Sequence, residues 1–174
     1  MTLLKEKNYG TPKVTSDNTV TGYIDGIEIS VPEGTSIMRA ASMVGIDIPS
    51  LCASDNLDAF GSCRLCIVDF EGRKGFGYPS SCTSPLNNGM KVTTKNNHLE
   101  SLRKDLLEMY ISDHPLDCNT CSSDGDCDLQ NQADNHDLLK NNHLLPSKYT
   151  FDDSCNHLGA DVDSSNPYFN FDTE

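Results

Sequence analysis

The feature that most constrains this chain is a run of metal-ligand side chains between residues 114 and 127. The stretch HPLDCNTCSSDGDC carries one imidazole and three thiols at H-x3-C-x2-C-x5-C spacing. These four side chains are His114, Cys118, Cys121 and Cys127. Three cysteines and one histidine form a complete ligand set for a metal centre, so we predict a metal site here.

A second, independent set of four cysteines lies upstream. Its members are Cys52, Cys63, Cys66 and Cys82, at C-x10-C-x2-C-x15-C spacing. Two ligands from one tight loop, one before it and one well after it, are typical of a [2Fe–2S] site, although plant-type ferredoxins have a first gap of four. Gly61 would let the loop backbone approach the cluster closely. Zinc remains the alternative, but zinc ribbons usually carry two C-x2-C pairs and this set has one.

For the set that contains His114, ligand count alone leaves iron and zinc open, because one His with three Cys also binds zinc. The neighbouring cysteine set favours iron, since two redox centres near each other conduct electrons and a zinc ion does not. A neutral imidazole in place of a thiolate makes a cluster less anionic and easier to reduce. Gly125 allows a turn before Cys127, and a helix that begins there would direct its positive end at the cluster.

Composition and charge exclude several functions. The hydrophobic fraction of 36% is low for 174 residues, and bound metal would supply folding free energy that a small core lacks. Residues 95–174 hold 5 Lys/Arg against 16 Asp/Glu, a net charge of −11. Such acidity argues against binding to nucleic acid or to an anionic membrane. It indicates either a docking face for a basic partner or a solvated acidic surface.

The sequence also predicts a compartment. It has no apolar run of 18 residues, so we expect no membrane insertion. Residues 1–17 lack the apolar segment of a signal peptide and are predicted to form a flexible N-terminal tail. Many cysteines without a secretion signal favour metal binding over disulfides, and therefore a cytoplasmic protein.

The order of predicted elements indicates an α+β fold. Asp25-Gly26 between two apolar-rich runs predicts a hairpin of residues 19–25 and 27–32. A short helix over 36–45 would follow, capped by Thr35 or Ser36. Hairpin, helix and a cysteine-bearing loop in this order resemble the β-grasp fold of small ferredoxins. Further predictions are strands at 65–70 and 90–94, an extended piece at 75–82, and helices at 97–112 and about 127–134. The apolar face of the 97–112 helix is predicted to comprise Leu99, Leu102, Leu106, Met109 and Tyr110.

The motifs around both ligand sets resemble the N-terminal region of a group of modular oxidoreductases. The runs GSCRLC at 61–66, YPSSCT at 78–83 and GDCDLQ at 125–130, together with HPLDC at 114–118, carry the resemblance. The group comprises the large iron–sulfur subunit of NADH dehydrogenase, the diaphorase subunit of NAD-reducing hydrogenase, and the catalytic subunit of NAD-dependent formate dehydrogenase. The resemblance implies a β-grasp [2Fe–2S] domain at 18–95 and a small, mostly helical [4Fe–4S] domain at 96–174 with an acidic C-terminal extension. His114, Cys118, Cys121 and Cys127 would hold the second cluster.

The end of the chain favours one member of the group. The runs NHL at 156–158 and SNPYFNFD at 165–172 resemble the segment that, in the formate dehydrogenase subunit, leads into a C-x2-C-x2-C-x3-C motif. This implies single-electron transfer between a formate-oxidising molybdenum or tungsten pterin site and a flavin-bearing partner that reduces NAD. No pterin domain is recognisable, so we expect an N-terminal piece without catalytic residues, the pterin lying in a missing remainder or a partner chain.

Three alternatives stay open. The first is the equivalent module of a hydrogenase or NADH dehydrogenase, the second a zinc-stabilised interaction module, and the third a free soluble ferredoxin. Cys155, the eighth cysteine, has no partner cysteine nearby in sequence and is interpreted as a structural or free thiol. The histidines interpreted as surface or packing residues are His98, His136, His143 and His157.

Overall fold

The computed structural model describes residues 7–72, 77–112, 114, 118 and 121–138. The chain divides into two compact units, Met1–Arg103 and Lys104–Glu174. The first holds a small sheet with a helix, and the second is helical where it is described. The fold is therefore α+β, with a mixed four-stranded sheet followed by a small helical region, as predicted.

The predicted hairpin opens the sheet. Strands β1 (Thr19–Ile24) and β2 (Ile27–Pro32) pair antiparallel, with Ile24 opposite Ile27. Asp25 and Gly26 both have positive φ, 48° and 85°, as a two-residue type I′ turn requires. Because aspartate and glycine adopt this backbone conformation readily, the hairpin could be predicted from the Asp25-Gly26 pair alone.

The sheet is completed by pieces of chain far from the hairpin. Strand order is β2-β1-β4-β3, where β3 is Asp69–Phe70 and β4 is Lys91–Thr93. Strand β4 runs parallel to β1 and antiparallel to β3. The strand predicted over 65–70 is shorter in the structure, because Ile67 makes only an isolated bridge with Ser80 before regular pairing begins.

Helix α1 (Ile37–Met43) contributes buried side chains to the same core as the strands. Its N-cap is Ser36, whose hydroxyl accepts a hydrogen bond from the amide of Arg39 at 3.1 Å. The buried core residues of the first unit, which include two of the predicted ligands, are Ile24, Ile29, Val31, Ile37, Met38, Ala40, Ala41, Ile48, Cys66, Val68, Cys82, Leu86 and Val92. The hydrophobic core and the first candidate site are therefore continuous.

Helix α2 (Asn97–Ser112) has the predicted bounds, but its buried face differs from the prediction. Leu99, Arg103, Leu107 and Ile111 are buried, at offsets of four residues, whereas Met109 is 70% exposed and Tyr110 39% exposed. The predicted face was wrong at those two positions because apolar character alone placed them there, and an arginine occupies the buried stripe. Helix α3 (Asp128–Asn135) lies one residue from its predicted bounds. No helix in the described ranges is long and apolar enough to cross a bilayer.

Residues 7–17, predicted as part of a flexible tail, make specific contacts in the structure. Thr11 is buried and its hydroxyl is 2.7 Å from that of Ser36. The guanidinium of Arg39 stacks over the Tyr9 ring at 4.8 Å and also bonds the Thr11 carbonyl. This polar stretch is held by side chains of α1 and its cap, which the sequence did not indicate.

Candidate metal-cluster sites

The four cysteines of the first set lie together as two pairs. The amide of Cys63 donates to Cys52 Sγ at 3.4 Å, and the sulfurs of Cys66 and Cys82 are 3.3 Å apart. Cys82 also interacts electrostatically with Cys52, Cys63 and Cys66. In a two-iron cluster each iron takes two thiolates, so a paired arrangement suits such a cluster. Among the described residues, no three His, Cys, Asp or Glu side chains are grouped as a single ion would need.

Backbone amides of the cysteine loop point at the sulfurs. The amide of Leu51 donates to Cys63 Sγ at 3.5 Å, alongside the bond from Cys63 to Cys52. Burial alone would raise the pKa of Cys52, but hydrogen bonds from Cys63 and Ser62 outweigh it and lower that pKa overall. Such donors stabilise negative charge on sulfur, whether on a thiolate or on a reduced cluster.

The second pair shares one hydrogen bond deep in the core. That bond lowers the pKa of Cys66 to about 6 despite its burial and raises the pKa of Cys82. Burial and the other three cysteine charges raise the pKa of Cys82 further. Four thiolates cannot coexist here without a cation, because like charges in a buried site raise one another's pKa. Bound iron would supply that positive charge, so the donor set fits a cluster.

A buried arginine fixes the backbone on both sides of Cys66 by hydrogen bonds, an arrangement called the Arg103 clamp below. The Arg103 side chain is only 2% exposed, and its guanidinium donates to three backbone carbonyls. These are Leu65 O at 3.1 Å, Ile67 O at 2.8 Å and Thr94 O at 2.8 Å. Its remaining nitrogen reaches the Glu100 carboxylate at 2.6 Å. The planar fork of arginine satisfies several acceptors at fixed geometry, so Arg103 holds the ligand-bearing segment against the end of β4.

The tight loop between Cys63 and Cys66 depends on two unusual backbone positions. Arg64 has a φ of +60°, and its guanidinium is anchored to the Tyr78 carbonyl at 2.7 Å and to the Ser80 hydroxyl. Gly61 has a φ of +70°, and a Cβ there would lie 3.1 Å from the Thr83 methyl. The close approach that glycine allows at this position is to Thr83 and Ser80, the segment that carries the fourth cysteine.

The second set of predicted ligands lines one small cavity. Its volume is about 20 Å³. The lining residues are His114, Cys118, Cys121, Ser123, Asp124, Cys127 and Gln130. Cys118 and Cys127 are half-buried, whereas His114 and Cys121 are exposed. All four predicted ligands therefore face the same space.

Turns and a helix start shape this cavity. The Cys127 sulfur caps α3 by accepting from the Gln130 amide at 3.5 Å, so the helix begins at the site as predicted. Gly125, with a φ of +78°, makes the turn that precedes it, and its amide donates to the Gln130 side chain. The amide of Ser123 donates to Cys121 Sγ at 3.5 Å. The positive end of the helix and these amides favour negative charge on the sulfurs.

The second site also has a surplus of negative groups. Burial raises the pKa of Cys118, and the charges of Asp124, Cys127 and Cys121 raise it further. A metal cluster would reverse this effect, because its iron ions neutralise the thiolates. The donor set of three sulfurs and one imidazole fits a cluster as well as it fits zinc.

Some functional residues were missed by the sequence argument. The burial of Arg103 could have been predicted from the sequence, since it stands four residues after Leu99 and four before Leu107 on the buried face of the helix. A charged residue at such a position is expected to have specific hydrogen-bond partners. Nothing in the sequence indicates the positive φ of Arg64, because only the folded loop imposes that backbone conformation. Cys155 and the 156–158 and 165–172 runs lie outside the described residues.

Comparison with known families matches both sites. Residues 17–97 match the family described as a 2Fe-2S iron-sulfur cluster binding domain. Residues 103–141 match the NADH-ubiquinone oxidoreductase-G iron-sulfur binding region. The first match spans the first cysteine set, and the second spans the set that contains His114.

Individual relatives are redox subunits. The chain is 40% identical over 110 residues to the mitochondrial NADH-ubiquinone oxidoreductase 78 kDa subunit of Candida albicans, covering 63% of this chain and 15% of that protein. It is 42% identical over 117 residues to NADP-reducing hydrogenase subunit HndD of Solidesulfovibrio fructosivorans, covering 64% and 20%. A crystal structure of an NAD+-reducing [NiFe]-hydrogenase in the H2-reduced state contains a chain that superimposes with a TM-score of 0.64 and 32% identity, over 85% of this chain and 57% of that one. The chain thus spans at most a fifth of these two curated relatives.

Proposed function

We propose that this chain conducts single electrons between two larger redox partners. The support is that it carries the two iron–sulfur domains found in the N-terminal region of NADH-quinone oxidoreductase G and NAD-reducing hydrogenase-type subunits. The pairing of the four cysteines of the first set is the observation that carries the proposal. Iron–sulfur clusters, when bound, accept and release one electron at a time. The chain itself would hold the clusters, exclude water from the first and set the charge around both.

Eight side chains would hold the two clusters. For [2Fe–2S] we assign Cys52, Cys63, Cys66 and Cys82. For [4Fe–4S] we assign His114, Cys118, Cys121 and Cys127. The boundaries of the corresponding domains are proposed at 18–95 and 96–174. Cys66 and Cys82 are buried, whereas Cys121 is exposed, so the two sites differ in solvent access. We therefore expect the two clusters to have different reduction potentials.

For the partners, we propose a formate-oxidising molybdenum or tungsten pterin site on one side and a flavin-bearing NAD-reducing subunit on the other. The sequence runs at 156–158 and 165–172 favour formate dehydrogenase within the group. The equivalent module of a hydrogenase or of an NADH dehydrogenase is the second candidate, and the similarity to HndD and to the hydrogenase structure supports it. In either case this chain acts as an oxidoreductase component without catalytic residues of its own.

The first test is anaerobic purification, iron and zinc analysis, and low-temperature EPR before and after dithionite. We expect about six irons per chain and two distinct reduced signals. A colourless, zinc-containing protein would establish the interaction module instead. Two irons with one signal would leave only the ferredoxin domain active in electron transfer.

The partner proposal is tested on the protein as isolated from its native source. Antibodies raised against residues 7–112 would isolate the complex for metal analysis and for assays of NAD reduction. Molybdenum or tungsten with formate-dependent NAD reduction supports the proposal. Nickel with hydrogen-dependent reduction, or NADH–quinone activity without a pterin metal, refutes it in favour of the second candidate.

A further inference from the structure

Ser81 places an unsatisfied hydroxyl inside the first cysteine site. The residue is 0% exposed and immediately precedes Cys82. Within the described residues, its side-chain oxygen has no hydrogen-bond partner of normal geometry. Burial of a hydroxyl without a partner is unfavourable, so such a group needs a specific explanation.

The backbone of Ser81 is fixed on both sides, so its side chain is held in position. Its amide donates to the Cys66 carbonyl at 2.9 Å, and its carbonyl accepts from the Met38 amide at 3.1 Å. The side chain and the amide of Ser81 both lie close to the Cys66 sulfur. The sulfur of Cys66 is therefore the acceptor within reach of the unsatisfied hydroxyl.

The preceding residue shows the contrast. Ser80 is equally buried, at 2% exposed, but its hydroxyl is bonded by the guanidinium of Arg64. Among the described residues, the Ser80 hydroxyl has a hydrogen-bond partner and the Ser81 hydroxyl has none. Packing alone would be served at position 81 by alanine.

We propose that the Ser81 hydroxyl donates a hydrogen bond to the Cys66 thiolate of the bound [2Fe–2S] cluster and thereby raises its reduction potential. The inference rests on the ligand assignment proposed above. Reduction adds one negative charge to the cluster, and a donor to a ligand sulfur stabilises the reduced form more than the oxidised form. Ser81 is a positioning and tuning residue, not a ligand and not a catalytic residue.

The test compares Ser81→Ala with Ser42→Ala, at a half-buried serine of α1 outside the cysteine site, in the full chain loaded with clusters. Potentiometric titrations followed by EPR give the midpoint potential of each cluster. For Ser81→Ala we expect the equilibrium constant for reduction of the first cluster to fall by up to about tenfold, or about 59 mV for a one-electron couple. We expect Ser42→Ala to leave it unchanged, and the second cluster to be unchanged in both variants.

A second readout detects the hydrogen bond itself. In D2O, pulsed EPR of the reduced wild-type cluster should show an exchangeable deuteron that Ser81→Ala loses and Ser81→Thr retains. Equal potentials and equal deuteron couplings in the wild type and Ser81→Ala would overturn the inference while leaving the cluster assignment intact. Failure of the wild type to bind iron would instead overturn the proposed function on which the inference rests.

Discussion

Replacement of Arg103 by methionine should destabilise the first unit more than any conservative change on its surface. Methionine preserves much of the side-chain volume but removes every donor. The carbonyls of Leu65, Ile67 and Thr94 would each lose a charge-assisted partner at 2.8–3.1 Å. A buried polar group left without a partner costs about 1–3 kcal/mol, so three of them set a lower bound of about 3 kcal/mol. The Glu100 pair adds little, since its carboxylate is 34% exposed.

The loss should appear as a lower unfolding temperature and faster release of the first cluster. For a domain of 60–100 residues, about 3 kcal/mol corresponds to a fall on the order of 12 °C or more. The assay is anaerobic thermal unfolding at one fixed scan rate, followed by calorimetry and by the visible absorbance of the cluster. A fixed rate is needed because cofactor loss makes unfolding irreversible.

Two variants make the comparison decisive. Lys104→Met removes the neighbouring positive charge from an exposed position of the same helix and should change little. Arg103→Lys restores the charge without the planar fork and should lie between the wild type and Arg103→Met. An unfolding temperature for Arg103→Met within about 4 °C of that for Lys104→Met, less than about 1 kcal/mol, would refute the clamp.

Further outcomes follow from other residues. His114→Cys adds a negative charge and should lower the second cluster's potential but not the first's; an unchanged second potential would contradict the assignment of His114 as a ligand. Gly61→Ala should reduce iron retention, because its Cβ would press on Thr83, whereas Gly45→Ala, at a similar φ of +81° but in open space, should not; equal iron content in both would exclude the steric explanation. Cys155→Ser should leave the iron content unchanged, and loss of iron on metal analysis would make Cys155 a ligand.

Local chemistry explains what could be predicted from the sequence. The hairpin follows from Asp25-Gly26, the first helix from its Ser36 cap, and the bounds of α2 from a long periodic run. The hairpin and helix features depend on residues that are close in sequence. The proximity of the cysteines within each set could be anticipated because four metal-ligand side chains at such spacings are typical of one metal centre.

The remainder depends on contacts between distant residues. Arg103 donates a hydrogen bond to the carbonyl of Leu65, 38 positions away in the sequence, and contacts of this kind allow a charged side chain to be buried. Residues 65–68 form no regular strand because their carbonyls and amides bond Arg103 and the 79–81 segment instead of a β-ladder. The pattern of apolar residues in a short stretch of sequence does not contain such contacts. The prediction was therefore wrong about the length of the strand at 65–70 and about the burial of Met109 and Tyr110 in α2.

The long-range closure of the sheet has a consequence for how the protein is made. Strand β1 pairs with β4, and the Asp25 carboxylate accepts from the Thr94 amide, 69 positions away. A ribosome that has just added Cys82 must still add 21 residues before Arg103 exists, which takes about 1–4 s at ordinary elongation rates. During that interval the nascent chain offers four thiols without the strand and the clamp that orient them. We therefore expect productive cluster insertion to follow synthesis of this segment, because iron delivered earlier would meet cysteines that are not yet positioned.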